Sequence, residues 1–223
     1  MSLVGFLFLM AGVAAFGYVT WRQNQERRAR LLVWASARGL SAMRGRDEDW
    51  HVRYPGLAIF QKGRARRSEF LVAGTVDGRE VRCLDYRYVT GSGKNRRTHR
   101  HGVVVMETGT PVIPLRIRPE NLLDGVAGAL GFDDIDFESD DFSRRWHVTS
   151  PDRRWAFDVI HPRTMEYLMD APPVTIEFGV AAVAVIGGGA LDPDHGERGL
   201  AMARDLLDLV PADVLARLRG ERA

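Results

Sequence analysis

The sequence predicts an α+β protein in which one N-terminal transmembrane helix precedes a domain with antiparallel sheet and several packed helices. Three observations predict it. Residues 2–21 carry no charge. Residues 50–118 hold β-branched and aromatic runs separated by turn signals, of which Asp77-Gly78 is the clearest. From residue 119 on, prolines and capping residues repeatedly precede stretches of helical periodicity.

The uncharged stretch Ser2 to Trp21 comes first. At 1.5 Å per residue it spans about 30 Å, the thickness of a bilayer's hydrocarbon core. Leu3, Val4, Phe6, Leu7, Phe8, Leu9, Met10, Val13, Phe16 and Val19 each favour insertion by up to about half a kcal/mol. An arginine at a membrane centre costs roughly 2.5–3.5 kcal/mol, so the span is expected to end at Arg22. Tyr18 and Trp21 stand where an aromatic belt belongs. No Lys or Arg precedes the stretch, whereas Arg22, Arg27, Arg28 and Arg30 follow it with only Glu26 opposing. The positive-inside rule then places the protein in the cell (inner) membrane, N-terminus outside and C-terminal domain cytoplasmic. The rival is a cleaved signal peptide releasing a secreted domain. That needs a basic leading region and an apolar core of about 7–15 residues; here the leading region carries no positive charge and the apolar run is longer. Ala11 and Ala15 form a small-xxx-small pair that leaves helix-mediated homo-oligomerisation open.

The expected domains are a transmembrane helix over 1–21, a basic juxtamembrane helix and linker over 22–46, and a cytoplasmic α+β domain over 47–223. Within the last, 50–118 reads mainly as strands and 119–223 as helices plus a hairpin. The chain's formal net charge of +2 gives no global pull towards nucleic acid. Charge is nonetheless clustered: residues 22–46 hold seven Arg against one Glu, and Lys94 to Arg100 is a second basic group. Next to a membrane such residues contribute about 1 kcal/mol each towards an anionic leaflet. The single cysteine, Cys83, allows no internal disulfide and reads as a buried thiol in a strand.

Each element has a local reason. Leu32, Val33, Ala37, Leu40 and Met43 follow helical spacing, and Gly39 is the expected interruption or cap. Arg44 to Trp50 reads as a charged loop. Phe70–Val76 and Val81–Val89 are strands joined by Asp77-Gly78. A polar connection over 91–98 leads to a third strand, Gly102–Thr108, whose Val103, Val104 and Val105 suit a strand covered on both faces. Pro111 and Pro114 end it, and Leu115–Arg118 is a short further strand. Pro119 is expected to open a helix reaching Leu130. Ser150-Pro151-Asp152 reads as a second helix start with Ser150 as N-cap. Pro162 starts a third helix, and Val174–Phe178 with Val180–Ile186 reads as a hairpin turning near Gly179. Asp192-Pro193 caps the last long helix, and Pro211 restarts a terminal turn.

Candidate chemistry is sparse. Gly91-Ser92-Gly93-Lys94 lacks the leading glycine and trailing hydroxyl of a phosphate loop, because Tyr88 and Asn95 occupy those places. His99 and His101 stand two apart on a strand approach without further ligands at metal spacing. The acids from Asp133 to Asp141 alternate with Ile135 and Phe137, which suits a half-exposed strand rather than a calcium loop. Asp85, His147, His161 and Ser150 offer the residue types of a triad on paper, but nothing in their spacing supports one, and Asp85 beside Arg87 reads as a paired structural charge. No cofactor or metal is expected. The candidate contacts to an anionic partner are Lys94, Arg96, Arg97 and Arg100.

Two stretches carry a resemblance. One is Gly78-Arg79 through Asp85-Tyr86-Arg87-Tyr88 to the Gly-Ser-Gly-Lys-Asn-Arg-Arg-Thr-His loop. The other is Asp134-Ile135-Asp136-Phe137-Glu138-Ser139 followed by Phe142, Arg145-Trp146, Ser150, Asp152, Ala156, His161-Pro162 and Met165. Together they resemble an uncharacterised bacterial, actinobacterial-type family of membrane-anchored proteins, a domain of unknown function. The resemblance spans most of residues 70–170 and implies no activity or site residue. The expected role is a single-pass membrane protein with a non-catalytic binding or scaffold domain. Its partners would be the bilayer through residues 2–21 and an anionic lipid or a protein, with no nucleic acid. A membrane-tethered hydrolase with an unrecognised site is the alternative.

Overall fold

Helix α1 (Leu3–Ala37) runs unbroken for 35 residues in the computed structural model, which describes residues 3–43, 49–120 and 135–220, with side chains from Met10 on. Gly39, at φ +69°, takes the left-handed conformation that turns the chain out of it. The expected transmembrane span over 2–21 is helical from Leu3 on but is not established as a span. Among the described residues no helix is long and apolar enough to cross a membrane. The side chains of residues 1–9 lie outside the described residues. From Met10 the uncharged run lasts only to Arg22, about 18 Å of helix.

The chain then alternates strands and short helices: β1 (Ser41–Met43), α2 (Trp50–Arg53), α3 (Ala58–Gln61), β2 (Arg64–Val76), β3 (Arg79–Thr90), β4 (Arg97–Glu107) and β5 (Leu115–Pro119). It continues with α4 (Asp140–Arg145), β6 (Trp146–Thr149), α5 (Arg153–Val159), α6 (Pro162–Asp170), β7 (Thr175–Phe178), β8 (Ala182–Gly188), α7 (Pro193–Leu209) and α8 (Ala212–Leu218). All eight strands join one antiparallel sheet in the order β1-β2-β3-β4-β8-β7-β5-β6. The β7–β8 hairpin is inserted between β4 and β5, so residues 50–118 and 119–223 share that sheet.

The sheet has an apolar layer on each face. On one face Leu31 and Ala35 of α1 and Leu200, Ala203, Leu206 and Leu207 of α7 pack over Val72, Cys83, Val104 and Val185. On the other, Trp50, Tyr54, Leu57, Ile59 and Phe60 cover Leu71, Leu84, Tyr86, Val103, Val105 and Ile186. Val103, Val104 and Val105 are therefore buried in succession, as a strand covered on both faces requires.

Several local expectations move by a few residues. The strand β2 begins at Arg64, and two short helices stand before it where sheet was expected from residue 50. The N-cap of α5 is Asp152, whose carboxylate accepts from the Trp155 N–H at 3.0 Å. Ser150 instead donates to the Pro114 carbonyl at 2.8 Å and accepts from the Asp152 N–H. Residues 135–138 alternate inward and outward as expected but form no strand; Asp140 to Arg145 is helical, capped by Ser139. The helix expected over 119–130 lies outside the described residues beyond Glu120, and Pro119 itself ends β5. The loop expected over 44–50 lies outside them as far as residue 48.

Candidate functional site at the basic end of the sheet

Helix α1 meets the sheet through a buried charge. Arg27 Nη2 is 2.8 Å from Asp85 Oδ2 and its Nη1 is 3.3 Å from Asp85 Oδ1. Asp85 Oδ1 also accepts the Leu191 N–H at 2.6 Å, and Arg27 donates to the Leu191 carbonyl and to Asn24 Oδ1. Three segments are thereby tied at one point: α1, β3 and the entry to α7. Asp85 is thus a paired structural charge, as expected, but its partner is Arg27 rather than its neighbour Arg87.

Moving from Arg27 along α1 and past its end to Leu40, the contacts move along β2 from Glu69, whose carbonyl accepts from Arg28, to Gly74, which lies under Leu40. The same direction runs down β3 from Asp85 to Val81. The N-terminal half of α1 therefore points the same way as the β3–β4 hairpin. At that end stand Arg64, Arg66, Arg67, Arg87, Lys94, Arg96, Arg97 and Arg100; Arg87 faces Arg100 and Thr90 faces Arg97 in the register. Glu69 takes charge-assisted hydrogen bonds from Arg87 at 2.8 Å and Arg67 at 3.2 Å. Burial raises its carboxyl, but the two arginines more than offset that and hold it below the usual range. Lys94, Arg96, Arg97 and Arg100, the four expected anion contacts, are all exposed on this hairpin. His99 and His101 share a face, as their spacing requires, and both stack on the Tyr88 ring. Among the described residues no group of His, Cys, Asp or Glu is arranged to hold a metal.

Beside the hairpin, on the face opposite α1, lies a cavity of about 300 Å³ between α3 and the strands β4, β8, β7 and β5. It is lined by Lys62, Arg116, Glu177, His101 and Thr175 together with Ile59 and Ile186. Arg116 and Glu177 are direct cross-strand partners, and the guanidinium Nε is 3.2 Å from Glu177 Oε1. Glu177 Oε2 accepts the Ile59 N–H at 2.9 Å. Burial pushes the Glu177 carboxyl up, and Arg116, the Ile59 N–H and Lys62 offset this only in part. Sequence reasoning missed this cluster. Its signal is a charge within an apolar β run, as in Leu115-Arg116-Ile117 and Ile176-Glu177-Phe178.

The four residues of the paper triad are not assembled. Asp85 holds Arg27, Ser150 holds the Pro114 carbonyl, His161 Nε2 lies 2.9 Å from the Leu209 carbonyl, and His147 stands on β6.

No protein-family model matches this chain, and no curated protein matches it. Among solved structures it is similar to the crystal structure of the mycobacterial trehalose monomycolate transport factor A, TtfA. The TM-score is 0.58 at 16% identity, covering 82% of this chain and 95% of that one. At that identity the likeness is one of fold. It agrees with the actinobacterial-type resemblance read from the sequence, without showing a family.

Proposed function

We propose that this protein is a membrane-anchored, non-catalytic binding module that serves lipid transport. In this reading α1 is seated in the bilayer and the basic end of the sheet rests on the anionic leaflet. The observation that carries it is the direction of α1 relative to β3. From Asp85 to the end of β3 at Thr90 is about 17 Å of strand at 3.3 Å per residue, and the turn carries Lys94 beyond that. From Arg27 back to Trp21 is only about 9 Å of helix. The end of β3 therefore stands roughly 8 Å past the level of Trp21 when the axes run parallel, and the turn stands further still. A bilayer entered at Trp21 would meet Lys94, Arg96 and Arg97. Met10, Val13, Phe16, Val19 and Trp21 are all half or more exposed, so the sheet does not cover them and lipid can. The arginines behind Trp21 favour an outside N-terminus and a cytoplasmic domain. The link to lipid transport draws on the fold neighbour's role as a transport factor.

The test is made on the full chain in cells of the native host. It should stay in the membrane fraction through alkaline carbonate and lose that resistance when residues 2–21 are deleted. A C-terminal reporter should be active only in the cytoplasm. Depletion should lower the amount of an exported lipid without lowering its synthesis. Carbonate release of the full chain, or a reporter active outside, overturns the anchored topology; unchanged lipid export overturns the transport role.

A further inference from the structure

We propose that the cleft between α1 and the strands β3 and β4 binds one phosphate group between Arg28 and Arg100, beside Arg87. The group is a free phosphate or the phosphodiester of an anionic lipid headgroup. The site stands on the packing of α1 against the sheet; only its lipid source rests on the anchored reading above.

Arg27, Arg28 and Arg100 line the cleft together with Asn24, Glu69 and Asp85. The sheet brings further arginines to its edge. Arg67 stands opposite Arg87, and Arg87 opposite Arg100, so three of them share one face of three adjacent strands. Like charges directly opposite one another destabilise a sheet, and the negative charge within reach falls short. The pairing shifts between Ser68 and Phe70, which frees Glu69 from the ladder to turn towards the row. Its Oε1 accepts from both Arg67 and Arg87. Asp85 is taken by Arg27 and the Leu191 N–H. Arg100 acts on Glu69 through space, without a hydrogen bond to it. Arg28 reaches only the Glu69 carbonyl, at a long 3.5 Å. Among the described residues the buried Nε–H groups of Arg28, Arg67 and Arg87 have no partner. Five arginines thus meet two carboxylates, and guanidinium donors left over in such a setting are what phosphate oxygens accept from. Asn24 Oδ1 accepts from Arg27, which leaves the amide Nδ2 on the same wall to donate as well. The volume, about 40 Å³, is room for about three water-sized groups, the size of one phosphate's oxygens rather than of a larger ligand. Arg87 lies about 7 Å beyond Asp85 along β3, and Trp21 about 9 Å beyond Arg27 along α1. In the anchored orientation the row is therefore level with the lipid headgroups.

The experiment uses the full chain in dodecyl maltoside, a detergent without phosphate, with chloride balancing the ionic strength. Inorganic phosphate is the probe and thermal unfolding the readout. Above its dissociation constant, phosphate should raise the melting temperature with the logarithm of its concentration, as one-site binding to the folded chain requires. Arg28→Gln and Arg100→Gln should each move that onset upward by roughly tenfold or more, the loss of one charge-assisted hydrogen bond. Arg100→Gln should melt as the wild type does when phosphate is absent, so misfolding does not enter. The two changes together should abolish the response. Lys94→Gln with Arg96→Gln and Arg97→Gln removes three charges from the hairpin and should leave the onset unchanged; an equal loss there would make the attraction diffuse and refute the site. Native mass spectrometry of chain extracted from phosphatidylglycerol membranes separates the two sources. One retained phosphatidylglycerol per chain, lost in the Arg28→Gln and Arg100→Gln double variant, assigns the headgroup; phosphate stabilisation without retained lipid assigns the free anion. If wild type shows neither, or if the double variant responds as wild type does, the site is refuted. The phosphate arm is read in detergent, so its outcome is independent of the carbonate result that decides the anchor.

Discussion

Arg27 on α1 and Asp85 on β3 are joined by two hydrogen bonds within a largely buried interface, with side chains 16% and 10% exposed. The pair fixes the angle at which the long helix leaves the sheet. Removing one member leaves the other charge buried without its counter-ion, which costs more than the intact pair contributes. Asp85→Asn should therefore lower stability by about 3 kcal/mol, measured as a shift in denaturant midpoint. Arg27→Met combined with Asp85→Asn should cost less than the sum of the single changes. Additive costs would show that the two do not act as a pair.

His195 gives the fold an acid-sensitive joint. Its ring lies against Gly102 and Gly187, where an added Cβ would come within 2.6 and 2.3 Å of Cε1. Among the described residues its Nε2 has no hydrogen-bond partner. Burial and Arg198 lower its pKa more than Asp192 and Asp85 raise it. Above the ordinary histidine value near 6.5, folded and unfolded chains are both neutral here. Below it the unfolded chain takes up a proton that the folded chain declines, so stability falls as pH falls. The limit is about 1.4 kcal/mol per pH unit. The wild type should lose more stability than His195→Gln between pH 7 and 5; parallel profiles would remove His195 as the cause.

Cys83 should be inert in the native protein. It is fully buried, and that burial pushes its thiol up to about 12. Thiol reagents should label it only as fast as the chain opens, and labelling should track denaturant. Fast stoichiometric labelling in native buffer would contradict its burial on β3 beneath the helices.

That inertness allows a probe of the hairpin. A fluorophore on Lys94→Cys, in proteoliposomes with roughly one-third anionic lipid, should be quenched by a headgroup-attached quencher. Salt should relieve the quenching, because exposed charges are screened. Arg96→Gln, Arg97→Gln and Arg100→Gln together should weaken the contact by about 3 kcal/mol, at roughly 1 kcal/mol per residue. Salt-independent or absent quenching would detach the hairpin from the surface.

Gly199 on α7 tests packing against propensity. Alanine gains about 1 kcal/mol over glycine in a helix. Here, however, its Cβ would stand 2.6 Å from Val104 Cγ2 and 3.0 Å from Val104 Cβ. Overpacking a tight core typically costs about 1–3 kcal/mol. Gly199→Ala should be net destabilising by roughly 1 kcal/mol; a raised melting temperature would mean that α7 can shift at no cost.

The features legible in the sequence are those with a local cause. Asp77 and Gly78 both adopt positive φ, at 50° and 77°, because the hairpin's two-residue turn demands it. Asp192 caps α7 with its carboxylate on the His195 N–H, and Pro162 and Pro211 open α6 and α8 as fixed φ angles allow. Lys94, Arg96, Arg97 and Arg100 were legible as a basic cluster because they are close in sequence. Lys62, Arg116 and Glu177 were not, because each comes from a different element.

Taken alone, then, the amino-acid order determines the uncharged N-terminal segment, the turns, the caps and the unbroken apolar run that makes Val103 to Val105 a doubly covered strand. Each of these follows from the conformational limits or transfer energies of neighbouring residues. The tertiary structure decided that β7 and β8 insert between β4 and β5, that Arg27 finds Asp85, and that Arg116 faces Glu177. Those outcomes depend on which apolar faces can be buried together, and that is settled only when distant segments compete for the same surface.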